Sequence, residues 1–406
     1  MLTFKEFLVE EGARVHKHSV HVEDLMFVNG KAGLTKAVNA LKEVKGCFGS
    51  SDVNDNRILS TKIDGSPAVI VLWVGDKFGV ASKSVFNKNP KVNFSVEDIK
   101  ANHGDSAGLA RKLEYALKYL KGVIPKGKIY QGDFLYDETD RKSETIDGQE
   151  CWTWHPNTIK YAVEKDSDLG RTIGNSKMGI VFHTEYTITD DDISTITLKG
   201  FNVTVDSFIP SNKVWVTDAF QKSIGSIPHF TEAEEKIFNS TLKDISALSN
   251  RIPWDYSTEY GANLMSFCNS YITNGRNFPI GKQMFTDYNE WLNIKRTKDV
   301  DSKKTEKGKA NAMAKWAGIC KVPNNLVNAF DVYRLVNWLK VEFFIKKVNK
   351  IKSTKTFLQK SDGTLEVTDD EGYVLTRTDA NGCKLVDRLG FAHANFSKDI
   401  IKGWEH

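Results

Sequence analysis

The chain has 406 residues, 40% of them hydrophobic, and a formal net charge of +4, which suits two or three domains with sizeable cores and permits, without demanding, a polyanionic partner. Its five cysteines stand singly with no C-x-x-C pair, so neither a zinc knuckle nor a disulfide framework is indicated, and a reducing cytosol is favoured. No run of about 18 apolar residues occurs, so we expect neither a membrane span nor a membrane partner.

The predicted elements change type along the first half of the chain. Residues 1–48 have a helical pattern that ends in a glycine, whereas residues 56–86 carry the β-branched and aromatic residues of two strands joined at "GDK". Residues 108–123 have the apolar spacing of an amphipathic helix. The segments "KIYQGDFLY" and "MGIVFHTEYTI" are again typical of strands.

The pattern becomes helical between about residues 230 and 350. Within it, residues 295–309 hold seven Lys or Arg and three acids, which is typical of a solvated, mobile loop or of a nucleic-acid contact. Strand signals return in "TLEVTDDEGYVLT" and "GCKLVDRLGF". We therefore predict an α+β fold with an N-terminal helical segment (1–48), a mixed domain made of 49–225 and 356–406, and a helical, locally basic insertion (226–355).

Charged residues interrupt an apolar stretch at "LSTKIDGSPAVI", residues 59–70. Burying an unpaired ammonium is costly, so Lys62 and Asp64 indicate either an edge turn with solvated charges or an activated lysine. A lysine becomes nucleophilic when burial or neighbouring cations lower its pKa, and Lys83 on the candidate partner strand is such a neighbour. Gly65 would allow the backbone to approach closely.

Short motifs follow this stretch in a definite order. A second lysine motif comes about twenty residues later, then an acid beside an aromatic within a strand, and finally an E-G-x-V motif. A lysine stands 13 residues after that last acid, which is a typical hairpin distance and favours "DEGYVL" over the rival "MGIVF", where Met178 occupies the acid's position. The motif residues in chain order are Lys62, Asp64, Gly65 and Ser66; Ser82, Lys83 and Ser84; Asp133 and Phe134; Pro156, Asn157 and Ile159; Glu371, Gly372 and Val374; and Lys384.

This set of motifs resembles the covalent nucleotidyltransferases, the superfamily of ATP-dependent ligases and mRNA capping enzymes, and most nearly the RNA ligases of T-even bacteriophages. The resemblance implies an ATP-grasp-like ligase domain with an antiparallel sheet, interrupted here by the helical insertion. It also implies ATP and Mg²⁺ (or Mn²⁺) as cofactors, with Lys62 attacking the α-phosphate to form lysyl-AMP. The residues expected at the nucleotide are Arg57, Asp64, Gly65, Ser82, Lys83, Asp133, Phe134, Glu371, Lys384 and Arg388, with Glu371 and Asp133 as metal ligands.

The chain departs from the family pattern at two motifs. Asp133 stands where the family has Glu, and the resemblance places it at the ribose, although a carboxylate also suits a metal. The last motif has one lysine instead of two, and Arg388 is our candidate for the missing cation. Two histidines near these motifs, His21 and His183, are expected to lie in a polar loop and in a structural strand position respectively.

The N-terminal "MLTFKEFLVEEGA" supports two interpretations. It resembles the head-targeting leader peptides of T-even-like phages, which would be cleaved after Leu8-Val9-Glu10, within about residues 1–10. Cleavage would imply packaging with the phage capsid. The alternative is an ordinary amphipathic helix that docks on the domain.

The leading functional prediction is an ATP-dependent polynucleotide ligase that acts on RNA rather than DNA. It would join a 5′-phosphate end to a 3′-hydroxyl end of nucleic acid, as a monomer in the host cytoplasm or within the virion. Two alternatives stay open. The first is a nucleotidyltransferase with another acceptor, such as a cap or a protein, and the second is a non-catalytic nucleic-acid-binding virion protein on a ligase-like fold.

Overall fold

The computed structural model describes residues 20–49, 59–201, 203–218, 220, 224–254, 258–320, 326–351, 354–375 and 383–403. Helices and antiparallel strands are mixed along them, which confirms the predicted α+β class. The leader-peptide prediction at residues 1–10 lies outside these ranges. Among the helices that the structure describes, none combines the length and the apolar character that a membrane crossing requires.

The secondary-structure elements are labelled in chain order. The longer helices are α1 (Leu25–Cys47), α2 (Val96–His103), α3 (Ala107–Leu120), α4 (Asp168–Asn175), α5 (Glu232–Ser249), α6 (Thr258–Thr273), α7 (Gly281–Asp301), α8 (Glu306–Ile319) and α9 (Leu326–Leu339). The strands are β1 (Leu59–Thr61), β2 (Ala68–Val74), β3 (Lys77–Ala81), β4 (Ile129–Asp137), β5 (Lys142–Ile146), β6 (Gln149–Trp154), β7 (Ile159–Glu164), β8 (Met178–Thr189), β9 (Asp192–Gly200), β10 (Val214–Thr217), β11 (Lys355–Gln359), β12 (Leu365–Val367), β13 (Tyr373–Leu375) and β14 (Cys383–Leu385).

A six-stranded sheet has the order β10-β8-β4-β2-β3, with β9 also paired to β8. Its strand β2 reads "AVIVLWV", an unbroken apolar run, because both of its faces are covered. Val69 and Val71 contact the core under α2 and α3, whereas Ile70 and Leu72 contact a second core on the other face. The hairpin predicted at "GDK" joins β2 to β3, and Gly75 supplies its positive φ of 54°. The sheet was predicted to be antiparallel, but strand β10 pairs in parallel with β8.

A five-stranded antiparallel sheet, β12-β11-β7-β6-β5, unites residues 142–164 with residues 355–367. Aromatic side chains fill the space between it and the six-stranded sheet, and Trp154 stacks on Tyr161 with ring centroids 5.6 Å apart. The segment that follows the helical insertion therefore returns to the first mixed domain.

A three-stranded sheet, β1-β13-β14, packs on the helices rather than on the other two sheets. Leu59, Leu375 and Leu385 share one buried core with α1 and with helices α5 to α9. The N-terminal helix and the predicted insertion thus form one helical lobe with these strands. The basic segment 295–309 is mostly helical, because α7 and α8 cover all but residues 302–305, so the expectation of a mobile loop there was wrong.

Candidate functional site

Lys62 lies at the end of β1 and contacts an acid from the far end of the chain. Strand β1 pairs antiparallel with β13, and Thr61 is opposite Tyr373. The Lys62 backbone N–H donates to the Gly372 carbonyl at 2.7 Å, and the Lys62 ammonium is hydrogen-bonded to the Glu371 carboxylate. Strand pairing therefore brings together two predicted site residues that are 309 positions apart in sequence.

Lys384 reaches the same site from β14, where it lies opposite Val374. Its backbone N–H donates to the Val20 carbonyl at 2.8 Å, and its strand forms a β-bridge with His21. His21 was expected in a polar loop, but its backbone instead pairs with the strand that carries Lys384. Burial, reinforced by the charge of Lys62, lowers the pKa of Lys384 to about 8.

The lysine whose pKa falls is therefore Lys384 and not Lys62. Burial alone would lower the pKa of Lys62, but the carboxylates of Glu371, Asp133 and Asp64 overcome it and raise that pKa above its ordinary value. The expectation that burial or Lys83 lowers the pKa of Lys62 is wrong for this structure. The physical reason is that the three carboxylates together stabilise the ammonium more than burial destabilises it.

Asp133 lies on β4 beside the lysine stretch. Gly65 makes this approach possible, because a Cβ there would come within 2.7 Å of the Asp133 Cβ. Burial favours protonation of Asp133, but contact with His183 and the charge of Lys62 lower its pKa below the usual value. The His183 Nε2 atom is 3.6 Å from the Asp133 carboxylate.

His183 was expected only as a structural strand residue, and its nearness to Asp133 is a site feature that the sequence analysis missed. The register of β4 with β8 explains why the two residues are close. Val181 is opposite Asp133, and His183 is two residues further along β8.

Asp64 is buried, and its carboxylate is fully engaged with the chain. It accepts hydrogen bonds from the Asn157 amide and from the backbone N–H groups of Thr158 (2.7 Å) and Ile159 (2.9 Å). The Asp64 backbone N–H donates to the Tyr161 hydroxyl at 2.7 Å. Burial raises the pKa of Asp64, against these hydrogen bonds. Asp64 therefore positions the 157–159 segment beside Lys62, and its contact with a nucleotide stays a prediction.

A family model matches residues 16–400, nearly the whole chain. The chain belongs to DUF6267, a family of unknown function. No curated protein and no solved structure matches the chain. The matched residues include the mixed domain, the helical lobe and every described residue of the site. Lys62, Glu371 and Lys384 therefore all lie within the part of the chain that the family model describes.

In the DUF6267 chain, the structure also differs from the expectation at Ser82–Lys83 and at Phe134. Ser82 caps the 3₁₀ turn Lys83–Phe86 by accepting from the Ser84 N–H at 3.3 Å, so Lys83 is the exposed first residue of a turn after β3 instead of lying within a strand. Phe134 is wholly buried in the core under α3, which removes it as a stacking surface for a base. Arg57 lies outside the described residues.

Arg388 is buried within an ion cluster and does not supply the predicted second cation. Its guanidinium lies 3.4 Å from the Glu23 carboxylate and 3.3 Å from that of Asp24, and it donates to the Tyr333 hydroxyl at 3.0 Å. The Lys340 ammonium completes the cluster at 2.8 Å from Glu23. Arg388 is thereby committed to two acids at the start of the helical lobe, which corrects its assignment as a phosphate contact.

Proposed function

We propose that this DUF6267 chain is a covalent nucleotidyltransferase of the ATP-dependent polynucleotide ligase type, with Lys62 as its nucleophile. The observation that carries the proposal is the convergence of Lys62, Glu371 and Lys384 from distant parts of the chain. Asp133 interacts with the same ammonium from a different sheet. Perturbed ionisable groups clustered in this way are typical of functional sites.

The reaction would proceed in three steps. The Lys62 amine attacks the α-phosphorus of ATP, an N–P bond forms, the bond to pyrophosphate breaks, and the amine loses a proton. A 5′-phosphate oxygen of the acceptor then attacks the same phosphorus, and the lysine leaves and regains a proton. A 3′-hydroxyl finally attacks the activated 5′-phosphate, loses its proton and releases AMP.

Glu371 is suited to take the proton that Lys62 must lose. Its carboxylate is hydrogen-bonded to the Lys62 amine, and burial raises its pKa. A raised pKa makes a carboxylate a better proton acceptor. Lys384, half-buried on the neighbouring strand, would supply positive charge to the phosphates in its protonated form.

The donor set fits a metal that arrives with the nucleotide. Over the described ranges, no three His, Cys, Asp or Glu side chains form a metal-binding group. Glu371 and Asp133 both interact with Lys62, and two carboxylates suit Mg²⁺ when phosphates and waters complete its shell. Asp133 would hold the ion, and Glu371 would join it only where another group takes the Lys62 proton, because a metal-bound carboxylate is a poor base. The ion would offset the charge of the triphosphate.

The sheet arrangement supports the same proposal. The stretch from Lys62 to Pro67 connects the three-stranded sheet to the six-stranded sheet, so the lysine lies at the junction of two sheets. We propose that this junction is the nucleotide site of an ATP-grasp-like ligase fold. RNA ends remain the proposed acceptors, with DNA ends as the comparison.

The test is to incubate the purified protein with ATP labelled at the α-phosphate, and in parallel with labelled GTP. The expected result is one acid-labile AMP per chain from ATP, mapped by peptide mass spectrometry to Lys62. Label from GTP alone would replace the ligase proposal with a capping-type reaction. Absence of label, or label on another residue, would overturn the lysyl-AMP mechanism.

Lys384 gives the proposed site a definite pH dependence. Its pKa of about 8 means that its ammonium is lost as pH rises through that value, while binding of a triphosphate favours the ammonium. ATP affinity is therefore expected to fall between pH 7 and pH 9 by up to roughly tenfold, with proton uptake on binding. Isothermal titration in two buffers of different ionisation enthalpy measures that uptake. Lys384→Arg, which stays charged, should abolish the uptake and flatten the profile; an unchanged profile would contradict the role of Lys384.

A further inference from the structure

A groove of about 560 Å³ opens on the helical lobe, where the end of α6 faces one side of α7. The groove is distinct from the Lys62 site, since its described lining residues all fall between 267 and 298. The lining residues that α7 supplies recur every three or four positions, so they lie along one face of that helix. They are Asp287, Glu290, Trp291, Ile294, Lys295 and Lys298.

The floor of the groove is aromatic. Phe267 and Tyr271 of α6 are buried, and Trp291 of α7 packs against Phe267 with ring centroids 5.9 Å apart. The Trp291 ring also stacks on Tyr288 at 6.0 Å, with an angle of 20° between the ring planes. Trp291 is half-buried and lines the groove, and Ile294, one turn further along α7, is 49% exposed. The core therefore fixes the position of a ring that contributes flat apolar surface to the groove.

Cations border this aromatic floor on both sides. The Lys295 ammonium lies 5.3 Å from the centroid of the Trp291 ring, and the Arg276 guanidinium lies 4.8 Å from that of Tyr271. Among the described lining residues, three cations face two carboxylates, a formal charge of +1. One of these carboxylates, Asp287, is already engaged, because it accepts a hydrogen bond from the Tyr271 hydroxyl and lies 3.6 Å from Arg276. The cations of α7 are thus available to a negatively charged ligand.

The groove leads into the basic segment 295–309, whose seven Lys or Arg and three acids give a formal charge of +4. Lys303 pairs with Asp299 at 2.7 Å. Lys309 pairs with Glu306 at 2.9 Å. The other five cations are exposed and form no ion pair with any residue that the structure describes; they are Lys295, Arg296, Lys298, Lys304 and Lys307. Like charges that stand close together without partners repel one another, so a polyanion stabilises this surface.

Aromatic surface bordered by such cations fits a single strand of nucleic acid. At every nucleotide the strand presents a flat base, which stacks on a ring, and a phosphate, which attracts an ammonium. A duplex buries its base faces in its own stack, and an acidic peptide has no flat face beside each charge. A second copy of this chain, placed on the same surface, would bring the same cations against each other. The combination of groove and charge therefore favours the single strand over these other occupants.

We propose that this groove, together with the exposed cations of residues 295–309, binds a single strand of nucleic acid. A base stacks on Trp291, and the phosphates beside it contact Lys295 and Lys298. The inference rests on the proposed ligase function in one respect, that the strand is the acceptor of the reaction. The groove holds an internal stretch of the strand, so neither end has to lie in it. Binding requires neither ATP nor Lys62.

Two variants separate the contribution of charge from that of stacking. The double variant Lys295→Gln/Lys298→Gln removes two exposed charges from the groove, and glutamine is a good helix former, so α7 is kept. Its matched control is Lys243→Gln/Lys282→Gln, which removes two exposed charges of the same lobe from α5 and from the first turn of α7, outside the groove lining. Trp291→Leu removes the ring and keeps an apolar side chain; its thermal unfolding shows whether the core is intact.

The probe is a fluorescein-labelled single-stranded RNA, and its binding is followed by anisotropy without ATP at salt concentrations from about 50 to 200 mM. The same sequence as single-stranded DNA and as duplex RNA serves for comparison. We expect the double variant to weaken binding by roughly tenfold to thirtyfold near 0.1 M salt and to make the salt dependence shallower by about 1.4, since each phosphate contact on a single strand contributes about 0.7 to that slope. Trp291→Leu should weaken binding by roughly fivefold or more and leave the slope unchanged, because stacking involves no counterion. The control should bind like the wild type.

Equal losses for the double variant and its control would show that binding follows the overall charge of the chain, which overturns the groove assignment. Unchanged binding in a folded Trp291→Leu, or tighter binding of the duplex than of the single strand, would overturn it as well. Displacement of the RNA by polyglutamate at an equal concentration of charge would replace it with an acidic protein partner. If Trp291→Leu does not fold, the double variant and its salt slope decide.

The ligase proposal is tested separately on the same proteins. Lysyl-AMP formation should be equal in the wild type and in the variants of the groove, because the groove lies outside the Lys62 site. Absence of lysyl-AMP from the wild type would overturn the ligase function and leave the anisotropy result standing. Tighter binding of RNA than of DNA by the wild type would support RNA as the acceptor.

Discussion

Lys62→Ala is expected to abolish lysyl-AMP formation, and Lys62→Arg is expected to do the same. Alanine removes the nucleophile, whereas arginine keeps the charge next to Glu371 but cannot lose its proton at working pH. Both variants should reduce the labelled product by at least roughly a thousandfold, below detection in a gel assay. If Lys62→Arg retained the label, the nucleophile would have to lie elsewhere.

The control for this pair of variants is Lys126→Ala. Lys126 also pairs with an acid, Asp76, but its side chain is 70% exposed. It should label like the wild type. Thermal unfolding of all three variants shows whether loss of label reflects chemistry or misfolding, because Lys62→Arg preserves the ion pair and should melt near the wild-type temperature.

Lys340→Met is expected to destabilise the fold by about 3–5 kcal/mol, which is the typical cost of leaving a buried charge without its partner. Lys340 and Glu23 are both wholly buried, and their ion pair joins the start of the helical lobe to the end of α9. Removal of the ammonium would leave the Glu23 carboxylate with Arg388 at 3.4 Å. Chemical denaturation with a fixed m-value measures the loss.

Lys346→Met provides the comparison for that measurement. Lys346 follows in the same helical segment and pairs with Glu342 at 2.7 Å, but its side chain is 58% exposed. An exposed pair of this kind contributes less than about 1 kcal/mol. Similar losses for the two variants would show that the buried cluster does not carry the stability assigned to it.

The sequence was informative about which residues meet at the site. We chose Glu371 as a site residue because Lys384 follows it by 13 residues, a spacing typical of a hairpin. The antiparallel pairing of β13 with β14 agrees with that choice, and such pairing between neighbouring strands is a local structure. Helical periodicity likewise predicted the helices between residues 230 and 350. Local structures of this kind can be predicted because they depend on residues that are close together in the sequence.

The sequence was uninformative about what each site residue does once buried. Asp64 binds the 157–159 backbone and Arg388 binds Glu23 and Asp24, and both partners depend on how distant segments pack. The direction of the Lys62 pKa shift depends on the same packing, because the carboxylates of Glu371, Asp133 and Asp64 together reverse the effect of burial. Motif order fixes neither burial nor hydrogen-bond partners, so these three assignments had to come from the fold.

The pairing of β1 with β13 also has a consequence in time. The acid that contacts Lys62 lies 309 residues later in the chain, so a ribosome that adds 5–20 residues per second delivers it roughly 15–60 s after the lysine. Until then Lys62 has no Glu371 to contact, and β1 has no β13 to pair with. Under the function proposed above, we therefore expect a nascent chain to take up AMP only after its synthesis has passed β14.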